Sequence, residues 1–153
     1  METLVTKNQI KEVVAVFKSQ GKAIAFVPTM GFLHEGHLSL VRKAKVLADI
    51  VIVSIFVNKA QFNEESDFLE YPRDHENDAR KLINEGVDYL FLPSDDEIYP
   101  KGESDFNIAV DQGIANILCA KYRKGHFSGV CNVLMRFFDL IEPDYAVFGL
   151  KDF

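Results

Sequence analysis

Pro28-Thr29-Met30-Gly31-Phe32-Leu33-His34-Glu35-Gly36-His37 places two histidines three positions apart and brackets them with glycines. If a helix begins near them, histidines at that spacing project from one side of its first turn, and two imidazoles can address one ligand. Gly31 and Gly36 let backbone approach phosphate oxygens closely. A loop that opens a helix also directs N–H groups and the helix dipole at an anion. The chemistry suggested is phosphate binding. An isolated H-x-x-H is more often a pair of polar loop residues. Its place directly after a buried strand shifts the balance, because open α/β sheets bind ligands there. Two other site types share part of the pattern. Gly31-x-x-x-x-Gly36 has Walker A glycine spacing, but His37 and Leu38 stand where Lys and Ser or Thr are required. A zinc hydrolase would need a different histidine spacing and a nearby acid base.

The loop needs elements to position it. Met1 to Lys11 reads as a polar lead into a first helix, where Ile10, Val13, Val14 and Phe17 recur at helical spacing behind a Thr6/Gln9 capping box, with Gly21 as its stop. Ala23 to Val27, stopped by Pro28, is the pattern of a strand buried on both faces. Leu38, Val41, Ala44, Leu47 and Ala48 predict a helix, and Ile50 to Val57 a second strand, which completes a βαβ unit with a right-handed crossover. A polar loop to about Tyr71 follows, then a helix through Ala79, Leu82 and Ile83 stopped by Gly86, and a strand from Asp88 to Leu92. Phe106 to Val110 predicts a strand, Asp111 a cap for a helix through Leu118, residues 129–141 a last helix, and Tyr145 to Phe148 a last strand. The expected architecture is a doubly wound α/β layer with a parallel sheet.

A chain of 153 residues with 48% apolar composition supports one sizeable core, so residues 1–153 read as one domain. No apolar run is long enough to span a membrane, and the start does not read as a secretory signal, so a cytoplasmic location is expected. Cys119 and Cys131 have neither disulfide-scaffold nor zinc-site spacing and read as reduced core residues. A net charge of −6 argues against a nucleic-acid surface. The cluster Lys121, Arg123, Lys124 and His126 still suffices for a small polyphosphate.

His34-x-Gly36-His37 is similar to the HxGH signature of nucleotidyltransferases related to class I aminoacyl-tRNA synthetases. Further segments occur in the order found in the pantothenate synthetase family. They are Val27 to Gly31, Ser54-Ile55-Phe56-Val57-Asn58 with Gln61-Phe62, Tyr71-Pro72-Arg73, Gly125-His126-Phe127-x-Gly129-Val130, and Phe148-Gly149-x-Lys151-Asp152. The chain therefore resembles that family along nearly its whole length. The resemblance implies a Rossmann-like sheet and a reaction in two steps. Pantoate attacks the α-phosphorus of ATP, giving pantoyl adenylate and pyrophosphate, and β-alanine then displaces AMP to form pantothenate. Mg²⁺ would accompany the nucleotide, and a homodimer is implied because family members pair through this domain.

The same resemblance carries roles onto particular residues. His37, His34 and Lys151 would be catalytic. Met30, Gly31, His34, Gly36, His37, Gly149, Leu150, Lys151 and Asp152 would surround ATP. Gln61 and Met30 would bind pantoate or β-alanine, and Asp78 would reach Mg²⁺ through water or else be a solvated helix-face aspartate. Departures from the family pattern are Lys59 and Lys124 in place of prolines, and Leu150 in place of a glutamate. The family continues into a smaller lid domain that has no counterpart in these residues. A non-catalytic nucleotide-binding and dimerisation module is the alternative reading. A cytidylyltransferase shares HxGH but leaves Gln61 and the Gly-His-Phe segment without a role.

Overall fold

Two largely apolar runs, broken only by the buried Ser54 in the second, form the centre of a parallel sheet, and their side chains divide between its faces. The computed structural model describes residues 1–101 and 126–150. Strands β1 (Glu2–Leu4), β2 (Ile24–Thr29), β3 (Ile50–Ile55), β4 (Tyr89–Phe91) and β5 (Tyr145–Ala146) lie in the order β1-β4-β3-β2-β5, each pair parallel. Parallel neighbours need crossovers that cover both faces, so strands in the middle read as mostly apolar runs rather than alternating. Ile24, Phe26, Ile50 and Ile52 enter one core with α1 (Lys7–Ser19) and α6 (His126–Ile141). Ala25, Val27, Val51, Val53 and Ile55 enter the other with α2 (Glu35–Leu47) and α4 (His75–Asn84).

The remaining helices among the described residues are α3 (Glu65–Glu70) and α5 (Asp95–Ile98), with a 3-10 turn at Lys59–Gln61. The capping box at Thr6 forms as expected, with the Gln9 N–H on the Thr6 hydroxyl at 3.2 Å and the Gln9 carboxamide on the Thr6 N–H. Gly21 and Gly86 follow α1 and α4 at φ +71° and +74°, the left-handed conformation that ends a helix at little cost when the residue is glycine.

The structure corrects three boundaries. Glu2–Leu4 is an edge strand paired with Tyr89–Phe91, not part of the lead into α1. Three residues with two exposed side chains carry no periodicity, so only pairing with β4 reveals the strand. β2 continues through Pro28 to Thr29. The carbonyls of Ile24 and Phe26 face β5, accepting from Asp144 and Val147, while that of Thr29 accepts from Phe56 beyond β3. Pro28 therefore turns its missing N–H toward the β5 side, past the last pair there, Phe26 with Ala146, and no ladder bond is lost. The polar stretch before Tyr71 contains the 3-10 turn and α3 instead of continuous loop. The strand predicted at Phe106 to Val110 and the helix after Asp111 lie outside the described residues.

Candidate active site

The turn after β2 is held in shape by one buried carboxylate. Gly31 adopts φ +83°, and a Cβ there would lie 3.0 Å from Ile55 Cγ2 and 3.1 Å from Asp78 Oδ2. Phe32 is also left-handed, at φ +52°, a conformation that costs a non-glycine residue about 1 kcal/mol or more. Asp78 compensates, because its Oδ2 accepts the Phe32 N–H and its Oδ1 the Leu33 N–H, both at 2.8 Å. Lys81, one turn further along α4, donates to the Leu33 carbonyl at 2.6 Å. The Thr29 hydroxyl donates to the Ser54 carbonyl at 2.8 Å and accepts the Gly31 N–H at 3.1 Å. Asp78 is only 1% exposed. The solvated helix-face reading is thus corrected, and the expected Mg²⁺ contact meets a carboxylate whose two oxygens already serve backbone donors. Sequence alone pointed the wrong way because an aspartate on an amphipathic helix is ordinarily a surface residue.

The histidines form a reciprocal cap. His34 is the N-cap of α2, and its Nδ1 accepts the Gly36 N–H at 3.0 Å. The Nδ1 of His37 accepts the His34 N–H at 3.1 Å. This is the logic of a capping box with imidazoles in place of a hydroxyl and a carboxamide. The ring centroids lie 4.1 Å apart. An Nδ1 that accepts an N–H carries no proton of its own, so in each neutral ring the proton sits on Nε2. The site thereby presents two imidazole donors beside a helix N-terminus, a polarity suited to phosphate oxygens. Gly36 is needed for a steric reason. A Cβ there would come within 2.7 Å of His34 Cε1 and 2.9 Å of its Nδ1, and the ring would have to leave its cap.

Met30 and Gln61 meet across adjacent strand ends, with Gln61 Nε2 at 3.2 Å from Met30 Sδ. Behind them stands Asn58, 1% exposed, named within a family segment of the sequence but given no role there. Its Nδ2 donates to Gln61 Oε1 at 3.2 Å and to the Gly129 carbonyl at 3.1 Å, and its Oδ1 accepts the Tyr99 hydroxyl at 2.7 Å. A polar residue closing the mostly apolar run Ile50 to Val57 was the available signal, since a buried amide must find partners for both ends. Gly129 allows the close approach of α6. A Cβ there would lie 2.6 Å from the Ala60 carbonyl oxygen and 2.9 Å from Gln61 Cα. Lys59 pairs with Glu65 at 3.0 Å, which ties the 3-10 turn to α3.

The chain passes from β2 to β3 and then β4 on one side, while β5 lies on the other, so the order reverses at β2. Such a reversal leaves a crevice at the carboxyl ends of the strands. The turn carrying Met30, Gly31 and the histidines opens there, as does the half-buried Gly149 after β5. Leu150 is exposed. Lys151 and Asp152, Lys121, Arg123 and Lys124, Cys119 and the His126 side chain lie outside the described residues. Cys131 is a free, half-buried thiol.

The model of the pantoate-beta-alanine ligase family matches residues 2–153. The chain belongs to the pantoate-beta-alanine ligase family. It is 54% identical over 143 residues to the pantothenate synthetase of Carboxydothermus hydrogenoformans, covering 94% of this chain and 50% of that protein. With the Bacillus subtilis pantothenate synthetase it shares 50% identity over 152 residues, covering 99% and 52%. The crystal structure of the Francisella tularensis pantoate-beta-alanine ligase, complexed with beta-gamma ATP and β-alanine, superposes with a TM-score of 0.89 at 42% identity, over 95% of this chain and 55% of that one. Thus the chain spans about half the length of the ligase relatives it matches. The Rossmann-like fold expected from the sequence is the fold of these ligases.

Within this ligase-family scaffold, burial pushes the Tyr71 phenol up, with the nearby Asp78 charge adding to the effect, so Tyr71 keeps its proton at neutral pH. Among the described residues no three His, Cys, Asp or Glu side chains gather to hold a metal ion. With Asp78 engaged as it is, these residues do not fit a resident Mg²⁺. Nor is any helix among them long and apolar enough to cross a membrane.

Proposed function

We propose that this chain is the nucleotide- and pantoate-binding half of an ATP-dependent ligase that condenses pantoate with β-alanine. The observation that carries the reading is that one turn, residues 30–37, holds both the paired imidazoles and the Met30 contact to Gln61. Phosphate donors and an acid-binding amide then lie on neighbouring strand ends, as a reaction joining a carboxylate to a nucleotide requires.

In the first step a pantoate carboxylate oxygen forms a bond to the α-phosphorus and the bond to the β-phosphate oxygen breaks, releasing pyrophosphate. In the second, the β-alanine amine attacks the acyl carbon, AMP leaves with its oxygen, and the nitrogen loses a proton. Charge gathers on phosphoryl oxygens in the first step, where the Nε2 protons of His34 and His37 stabilise it. Gln61 orients the pantoate, since a carboxamide both donates to a carboxylate and accepts from a hydroxyl. Lys151 is assigned the fixed positive charge, and Gly149 and Asp152 the nucleotide wall. Mg²⁺ belongs in this scheme to ATP, carried by its phosphates. A cytoplasmic homodimer is the expected state, from family practice.

The test is pyrophosphate release from ATP and Mg²⁺ with and without pantoate. Pantoate-dependent release is expected, and Gln61→Ala should weaken pantoate more than ATP. Equal losses for both ligands would remove Gln61 from the substrate site. ATP binding without any release would favour the binding-module reading.

A further inference from the structure

The amide of Gln61 has a direction, and that direction is set several residues away. The Gly129 carbonyl can only accept, so the end of Asn58 that lies 3.1 Å from it must be the NH2 end. The same NH2 group then donates to Gln61 Oε1, which turns the Gln61 NH2 end toward Met30 and the crevice. Asn58 Oδ1 is left facing the Tyr99 oxygen, which must be the donor in their 2.7 Å contact. The Tyr99 ring is itself clamped. The Arg136 guanidinium lies 4.7 Å over it, anchored to Asn132 Oδ1 at 3.0 Å and the Ile98 carbonyl at 3.1 Å, and the Phe56 ring packs 6.3 Å away.

We infer that Tyr99 is a positioning residue for the acid substrate: together with the Gly129 carbonyl its hydroxyl holds Asn58, and through Asn58 the end of the Gln61 carboxamide that meets pantoate. This rests on the assignment of pantoate to Gln61 under the proposed function. A substrate carboxylate needs a donor, so an amide free to turn over would meet it with an oxygen part of the time and bind it less well. Removing the Tyr99 hydroxyl leaves Asn58 Oδ1 as a buried acceptor without its partner, and either Asn58 moves or the protein bears the desolvation cost. ATP bound at the histidine pair depends on the other turn and should not register the change.

The experiment compares the unaltered protein with Tyr99→Phe by calorimetric titration with pantoate and, separately, ATP. In parallel, proton–nitrogen NMR spectra record the side-chain amides of Asn58 and Gln61. The expected result is a loss of pantoate affinity of about fivefold or more, the worth of one buried hydrogen bond, with ATP affinity unchanged. The Asn58 and Gln61 side-chain resonances should shift, and the Asn58 amide protons should exchange faster. Equal losses for both ligands, or no loss for either, would overturn the proposal. If the unaltered protein does not bind pantoate, the ligand assigned to Gln61 is wrong. The relay then stands or falls on the amide resonances, and unshifted resonances in Tyr99→Phe would sink it. Should the phenylalanine variant not fold, hydrogen exchange in the unaltered protein decides: slow exchange of both Asn58 side-chain amide protons is required, and fast exchange refutes the relay.

Discussion

The turns that leave β2 and β3 open at the same edge of the sheet, yet they are held by chemically different groups. Gly31 to Leu33 is held by a carboxylate, with both oxygens of Asp78 accepting backbone N–H groups. Lys59 to Gln61 is held by a carboxamide, with Asn58 donating to two oxygens and accepting from a third group. A carboxylate can only accept, so it secures the backbone of a strained turn and passes nothing further on. A carboxamide has a donor end and an acceptor end, so a constraint at one end dictates what the other end presents. Under the proposed function the first turn uses a rigid shape to aim its histidines, and the second a side chain of defined polarity.

The largest effect is expected from breaking the first clamp. Asp78→Ala leaves two backbone donors without partners beneath a left-handed pair of residues, and should cost roughly 2–4 kcal/mol in urea unfolding. A loss under about 1 kcal/mol would mean that Lys81 and Thr29 hold the turn by themselves. Breaking the second turn should cost less. Gly129→Ala forces a Cβ against the Ala60 backbone, which can yield only by shifting α6 or the 3-10 turn, at about 2 kcal/mol with weakened pantoate binding. Unchanged stability together with unchanged pantoate binding would show that the approach of α6 does not set Gln61.

Gly36→Ala acts on the histidines alone. Alanine in a helix is favoured by up to about 1 kcal/mol over glycine, while losing the cap costs a similar amount. Net stability should therefore change little, and ATP affinity should fall because the His34 ring is displaced. ATP affinity equal to that of the unaltered protein would contradict a role for the His34 cap. The smallest effect is expected on α6, outside both turns. Burial raises the Cys131 thiol above its ordinary range, so it stays protonated near neutral pH and alkylation should be slow, accelerating as pH rises through the raised value. Because the folded form holds this proton longer than the unfolded chain, any stability it contributes is lost, not gained, in that alkaline window. Alkylation at neutral pH as fast as in the unfolded chain would remove the assigned burial.

Much of the architecture was legible in the sequence because parallel strands buried on two faces read as near-continuous apolar runs. Ala23 to Val27 and Ile50 to Val57 announced themselves in that way. The capping box at Thr6 and the stops at Gly21 and Gly86 were equally plain, being local chemistry between near neighbours. β1 was not legible, since three residues acquire strand character only from β4. The candidate site divides similarly. His34, Gly36 and His37 stood out as candidates because their spacing is short and their geometry is that of one helical turn. Asp78, Asn58 and Tyr99 were missed or misread because their partners lie 46, 71 and 41 residues away.

Family, central strands and most of the helices could be read from the chain alone, as could the loop to which phosphate chemistry is assigned. These follow from periodicity, turn chemistry and short motifs, all encoded between close neighbours in the chain. That Asp78 faces inward, that Met30 touches Gln61 and that Gly129 brings a carbonyl to Asn58 emerged from the packing. Those outcomes depend on how sheet and helices pack, and a polar side chain declares its role only when packing closes over it and obliges each donor and acceptor to find a partner.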